Sequence, residues 1–171
     1  MLIHEMSKAE CQDVLTRTNL GRLACVRNNQ PYIVPIYFDY DGDYLYSFAT
    51  LGQKIQWMRT NPRVCDEVDN ITDRFHWTTV VAFGRYQEIV HAEQKARAQE
   101  LFKKRPDWWY PAVGKTSSSD HGVPIIFRIQ VDKISGRRAA RDRAKLSRPS
   151  STPTKDKAPA WWTNVLRPRQ K

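Results

Sequence analysis

Six short runs of strand-forming residues, set close together and separated by turn signals, limit the folds open to this chain more than any other feature of its sequence. Residues 22–27 (RLACVR) and 32–38 (YIVPIYF) flank Asn28-Asn29-Gln30, a short hairpin signal. Asp41-Gly42 is a stronger turn and leads into residues 44–49 (YLYSFA). Residues 63–69 (RVCDEVD) and 77–90 (WTTVVAFGRYQEIV) add two strands, the second with Gly84 where a bulge or bend is expected. In the sixth run, Ile125, Phe127, Ile129 and Val131 alternate with Ile126, Arg128, Gln130 and Asp132, the pattern of a strand with one buried face.

Three helices interrupt the series. Ser7-Lys8-Ala9-Glu10 reads as a capping box for a helix to about Thr18 that buries Val14 and Leu15. Residues 52–60 form a short helix stopped by Asn61-Pro62. Residues 92–104 form a longer one, with Glu93/Arg97 and Glu100/Lys104 on its wet face and Ala98, Leu101 and Phe102 turned inward. Few helices and short connections predict a mainly β fold, an antiparallel β-barrel with peripheral helices.

Charge divides the chain in two. The net charge is +10, yet residues 1–136 hold 17 Lys and Arg against 16 Asp and Glu, while residues 137–171 hold 11 against 2. A uniformly basic nucleic-acid-binding domain is therefore excluded, and only the tail is left to touch a polyanion. Within that tail, residues 137–157 are rich in Ser, Thr and Pro and are expected to be disordered, and a docking segment is expected at 159–167 around Trp161-Trp162. No apolar run approaches membrane-spanning length, and the first residues lack the pattern of a signal peptide. Cys11, Cys25 and Cys65 show neither disulfide nor zinc spacing, so reduced thiols and a cytoplasmic location are expected. His4, His76, His91 and His121 have no metal-ligand spacing either.

Two segments suggest chemistry. In Thr50-Leu51-Gly52-Gln53-Lys54 a strand ends and a helix starts with Lys54 in its first turn, against the helix macrodipole unless an anion sits there. Thr50 offers a hydroxyl, Gly52 lets a ligand approach the backbone, and Arg59 or Arg63 would add a second cation. An ordinary turn capped by Thr50, with Lys54 in solvent, fits the spacing as well. Pro35 lies inside an apolar strand, which favours a sheet edge or a bulge and leaves backbone groups of Val34 and Ile36 for a flat heteroaromatic ligand or for water. Asp66, Glu67 and Asp69 read as a solvated face or as the source of one general base.

Taken in order, Gly21-Arg22-Leu23-Ala24, Gln30-Pro31-Tyr32-Ile33-Val34-Pro35-Ile36, Gly52-Gln53-Lys54-Ile55-Gln56-Trp57-Met58-Arg59, Asn61-Pro62-Arg63-Val64-Cys65 and Val80-Val81-Ala82-Phe83-Gly84-Arg85 resemble the pyridoxamine 5′-phosphate oxidase-like, FMN-binding split-barrel family. The similarity is nearest to its bacterial flavin-nucleotide-binding branch, which includes nitroimidazole-resistance-type proteins. It covers residues 1–136, with Gly136-Arg137-Arg138-Ala139 closing the last strand.

The resemblance implies a six-stranded antiparallel split barrel, a homodimer, and FMN held at the subunit interface. Thr50, Gln53 and Lys54 would hold the phosphate, and the backbone around Pro35 and Ile36 would meet the polar edge of the ring. Trp77, Thr78 and Thr79 of the partner subunit would close over ring or phosphate, with Trp108 or Trp109 as further cover. Two departures stand out. Phe48 replaces a His found toward the nitroreductase end of the family, and the His and Arg pair by which true pyridoxamine phosphate oxidases grip their substrate is missing. The function expected is that of an FMN oxidoreductase passing electrons between a small-molecule donor and acceptor, with no catalytic side chain named; Arg22 and Tyr37 would tune the ring or bind substrate. The alternative is a non-catalytic binder or sensor of flavin, haem or deazaflavin.

Overall fold

The computed structural model describes residues 2–103 and 124–140. In chain order its elements are β1 (Leu2–Glu5), α1 (Lys8–Arg17), β2 (Leu20–Arg27), β3 (Gln30–Tyr37), β4 (Asp39–Tyr40), β5 (Tyr44–Ala49), α2 (Gln53–Thr60), β6 (Arg63–Asp73), β7 (His76–Glu88), α3 (Ala92–Phe102) and β8 (Ile125–Ala140). All six strands and three helices expected from the sequence are present, and β1 and β4 raise the strand count from six to eight. Neither addition has an apolar alternation to announce it. β1 is exposed along its length and exists through its pairing with the end of β8, Leu2 opposite Ala140. β4 is two residues paired with β5.

The sheet runs β3-β2-β6-β7-β8-β5-β4, with β1 added on β8. Its two terminal strands, β3 and β4, are consecutive in the chain and separated by Phe38 alone. A sheet whose outermost strands are joined through one residue has to curl back on itself, which makes a barrel. The seam stays split, crossed by a hydrogen bond from the Ser47 hydroxyl to the Tyr37 carbonyl at 2.7 Å. Phe38 is buried there.

Leu23, Leu45, Val68, Val80, Phe127 and Ile129 fill the interior, joined by Cys11 and Leu15 from α1 and by Ile55 and Met58 from α2. α1 begins with the expected capping box. The Ser7 hydroxyl accepts from the Glu10 N–H, and the Glu10 carboxylate accepts from the Ser7 N–H at 2.8 Å. A smaller cluster of Tyr46, Ile89, Ala98 and Ile126 lies under α3, where Phe48 meets Phe102 edge-on at 5.3 Å. The start of β8 is therefore buried on both faces, not on one, because α3 covers the side that alternation assigned to solvent.

Gly84 sits where the β7–β8 register slips, and a Cβ there would lie 2.2 Å from the Gln130 carbonyl oxygen. β8 carries the ladder with β7 through Gly136 as far as Ala139, and the strand ends at Ala140. Trp108, Trp109, the remainder of the basic tail and segment 159–167 lie outside the described residues. No helix among the described residues is long and apolar enough to cross a membrane.

Candidate functional site

β5 delivers the chain to Thr50 and Leu51, both exposed, and α2 then starts on Gly52. Gly52 is the N-cap, in extended conformation, and no side chain bonds the free N–H groups of the first turn. A turn capped by Thr50 is thereby ruled out. Lys54 is half-buried, not in solvent, because Ile55 and Met58 pull the helix into the core. Its ammonium has no carboxylate partner among the described residues, and burial holds its pKa below the usual lysine value, opposed by the nearby Cys25. A desolvated cation beside uncapped, positively polarised N–H groups is unfavourable by itself and becomes favourable with an anion. Thr50 and Gln53 are exposed around it.

The second cation expected at Arg59 is otherwise engaged. Its guanidinium makes a two-pronged contact with Glu88 of β7, Nε to Oε2 and Nη2 to Oε1, each 2.8 Å. Arg63 is exposed at the start of β6.

Pro35 lies on β3, a terminal strand, which is the edge its missing N–H called for. The Phe38 N–H donates to the Asn19 carbonyl at 2.9 Å, and this bond sets the alternation along the β2–β3 ladder. Ile36, opposite Gly21, and Val34, opposite Leu23, turn their backbone groups to β2, while Pro35, opposite Arg22, turns its carbonyl to the open edge. The expectation that Val34 and Ile36 leave backbone groups free is therefore corrected: what the edge offers there is the carbonyl of Pro35. The Ile36 side chain is buried.

β7 divides its three candidates. Strand alternation puts Trp77 and Thr79 on one face and Thr78 on the other. The Thr79 hydroxyl donates to Glu67 at 2.8 Å, and Glu67 and Asp69 both accept from Arg22, at 3.4 and 2.5 Å. Thr78 opens on a cleft of about 450 Å³ between α1 and the ends of β6 to β8, also lined by Asn70 and Arg138. α2 joins β6 at Arg63, whereas Trp77 pairs with Ile71 near the far end of that strand. At ~3.3 Å per residue these points lie roughly 25 Å apart along the strand.

The acids of β6 also separate. Glu67 and Asp69 face outward as expected, bound to Arg22. Asp66 instead points into the barrel with Val64 and Val68, fully buried, and neither carboxylate oxygen has a hydrogen-bond partner. Burial pushes its pKa up to about 8, with Glu67 adding to the rise and Arg22 opposing it. The signal was in the sequence: Asp66 holds the apolar phase of its strand. Among the described residues no cluster of His, Cys, Asp and Glu could hold a metal.

Fold and site together define a class: a split β-barrel whose rim carries an uncapped helix start with a half-buried, unpaired lysine. Residues 7–138 match the family model described as pyridoxamine 5′-phosphate oxidase, and the chain belongs to that family. It is 39% identical over 146 residues to an uncharacterized protein of Rhizobium meliloti, covering 81% of this chain and 97% of the relative. It is also 39% identical to the crystal structure of a FAD-binding protein from Mesorhizobium loti, covering 82% of this chain and 99% of that one, with a TM-score of 0.68. A FAD binding protein from Mycobacterium smegmatis, 21% identical over 82% of this chain and 99% of that one, shares the fold with a TM-score of 0.59.

Proposed function

We propose that this chain is a flavin-binding protein that seats a flavin phosphate on the first turn of α2 and serves as an oxidoreductase at a homodimer interface. The observation that carries the reading is Lys54, a half-buried cation without a carboxylate partner beside unbonded helix N–H groups. Thr50 and Gln53 would add polar contacts, and the Pro35 carbonyl would accept from a donor on the ring edge. A bound flavin supplies hydride and electron transfer; the protein's part is to bind it, orient it and exclude water. The Mesorhizobium loti relative is described as binding FAD, so FAD stands beside FMN as the nucleotide.

Two features support a dimer. Trp77 and Lys54 belong to distant parts of one protomer, as expected if a partner completes each site. Across the outer face, Ile33, Ala24, Cys65 and Phe83 are successive cross-strand partners on β3, β2, β6 and β7. Ile33 is 65% exposed and Phe83 44%, an apolar row suited to a second copy. The free thiols of Cys11, Cys25 and Cys65 suit a reducing, cytoplasmic setting.

The test is the absorbance spectrum of the purified protein, alone and titrated with FMN and with FAD, against Lys54→Ala. Flavin bands that weaken in the variant support the reading, and absence of any flavin uptake overturns it. A haem spectrum in place of flavin bands would move the protein to haem chemistry. Oxidation of a reduced nicotinamide by the loaded protein, with an added acceptor, separates an enzyme from a non-catalytic binder.

A further inference from the structure

The two ends of α2 are held very differently. At the last turn, the Asn61 side-chain amide donates to the Val26 carbonyl of β2 at 3.0 Å, and the Tyr86 N–H of β7 donates to the Pro62 carbonyl at 2.8 Å. Between them, Arg59 grips Glu88 through two parallel hydrogen bonds, and the Tyr86 hydroxyl donates to the same carboxylate at 3.0 Å. The first turn has no side-chain cap. A bidentate guanidinium–carboxylate pair fixes the plane of the guanidinium as well as its distance, so it resists rotation of the helix that carries it.

α2 has only eight residues, about two turns, and so behaves as one stiff piece. Lys54 and Arg59 are five residues apart and project about 140° from each other around the axis. Arg59 therefore reaches β7 on one side while Lys54 faces elsewhere, toward Cys25 on β2. Ile55 and Met58, buried in the core, hold the helix against the barrel by undirected apolar packing, so any rotation that packing leaves open and Arg59 permits would swing Lys54 through the same angle. Glu88 also neutralises Arg59, which leaves Lys54 as the uncommitted cation of the helix.

We infer that Glu88 is a positioning residue for the anion site: through Arg59 it sets the angle at which α2 presents Lys54 to a phosphate. This rests on the reading that the start of α2 takes the phosphate of a flavin. Glu88 itself touches no ligand. On that reading α2 would meet the phosphate end, so the effect of Glu88 would reach the phosphate and not the ring.

The experiment titrates FMN and riboflavin, which lacks the phosphate, into the full chain and four variants: Lys54→Ala, Glu88→Gln, the exchanged pair R59E/E88R, and Asp132→Asn. Asp132 forms an ion pair with Arg85 at 2.8 Å between β7 and β8 and serves as the control for losing a surface pair. The expected result is that Glu88→Gln weakens FMN binding about three- to fivefold, the scale of a partly exposed pair, and leaves riboflavin unchanged. The exchange recovers FMN binding, and Asp132→Asn behaves as the parent. Equal or tighter FMN binding by Glu88→Gln overturns the inference, as does an equal loss for both ligands, which would mark a merely structural role. If the parent does not prefer FMN to riboflavin and Lys54→Ala changes neither, the anion site itself is wrong and the inference falls with it.

Discussion

The carboxyl of Asp66 occupies the space in which a side chain at Gly21 would stand: an ideal Cβ on Gly21 would lie 2.2 Å from Asp66 Oδ2. The two sit on neighbouring strands, Asp66 opposite Leu23 and Gly21 two residues back along β2. The barrel thus accommodates a carboxyl in its core by giving up a side chain beside it. No hydrogen bond compensates, so the group is tolerated mainly in its neutral form.

Asp66 makes stability fall as pH rises. Its folded pKa, about 8, lies above the unfolded value of 3.8, so the folded state binds the proton more tightly. The loss begins near the unfolded pKa, grows by roughly 1.4 kcal/mol per pH unit, and levels off above the folded one. Asp66→Asn keeps the shape and removes the titration. Denaturant midpoints measured from pH 5 to about 9 should be flatter for the variant than for the parent, and higher at the alkaline end. Parallel curves would show that Asp66 finds a partner in solution.

Gly21→Ala and Gly84→Ala test two kinds of close approach. The first collides with a side chain, and should cost about 1–3 kcal/mol, most of it recovered in Gly21→Ala/Asp66→Ala. The second collides with backbone, the Gln130 carbonyl, and should exceed the first with no single-residue remedy. Urea unfolding of the three variants decides, and a Gly84→Ala protein as stable as the parent contradicts the register slip.

Lys54 costs the flavin-free protein stability. Burial lowers its folded pKa, so its protonated form destabilises the fold until pH rises above its unfolded value. Lys54→Met should unfold a few degrees higher than the parent when both are stripped of ligand, and lose the stabilisation that added FMN gives the parent. Thermal scans with and without FMN measure both.

The apolar row on the outer face predicts an oligomer. Phe83→Glu should shift the protein to monomer in sedimentation velocity while its far-ultraviolet circular dichroism stays unchanged, because Phe83 is already 44% exposed in one chain. A parent that sediments as a monomer would remove the need for a partner and leave Trp77 without a role at Lys54.

Legibility in the sequence followed range. The six strands and three helices were readable because each announces itself locally, by alternation, by the Ser7–Glu10 box, or by Asn61-Pro62. β1 was not, since its pairing lies more than a hundred residues away on β8. Lys54 stood out because it opposes the dipole of its own helix. The capture of Arg59 by Glu88 could not be read, as 29 residues separate them and only the barrel brings them together. Pro35 correctly marked an edge, but which neighbours faced outward depended on the hydrogen-bond phase set at Phe38 and Asn19.

The pairing of Leu2 with Ala140 brings the first and last described strands side by side at one corner of the barrel. In a variant shortened to end at Ala140, a short linker could join them there, and new termini could be opened at Asn28-Asn29, where both residues have positive φ in a tight hairpin. Such a circular permutant would keep every ladder of the sheet while moving the chain ends to the opposite hairpin. It would also give a reporter or a tether an attachment point away from β1 and the end of β8.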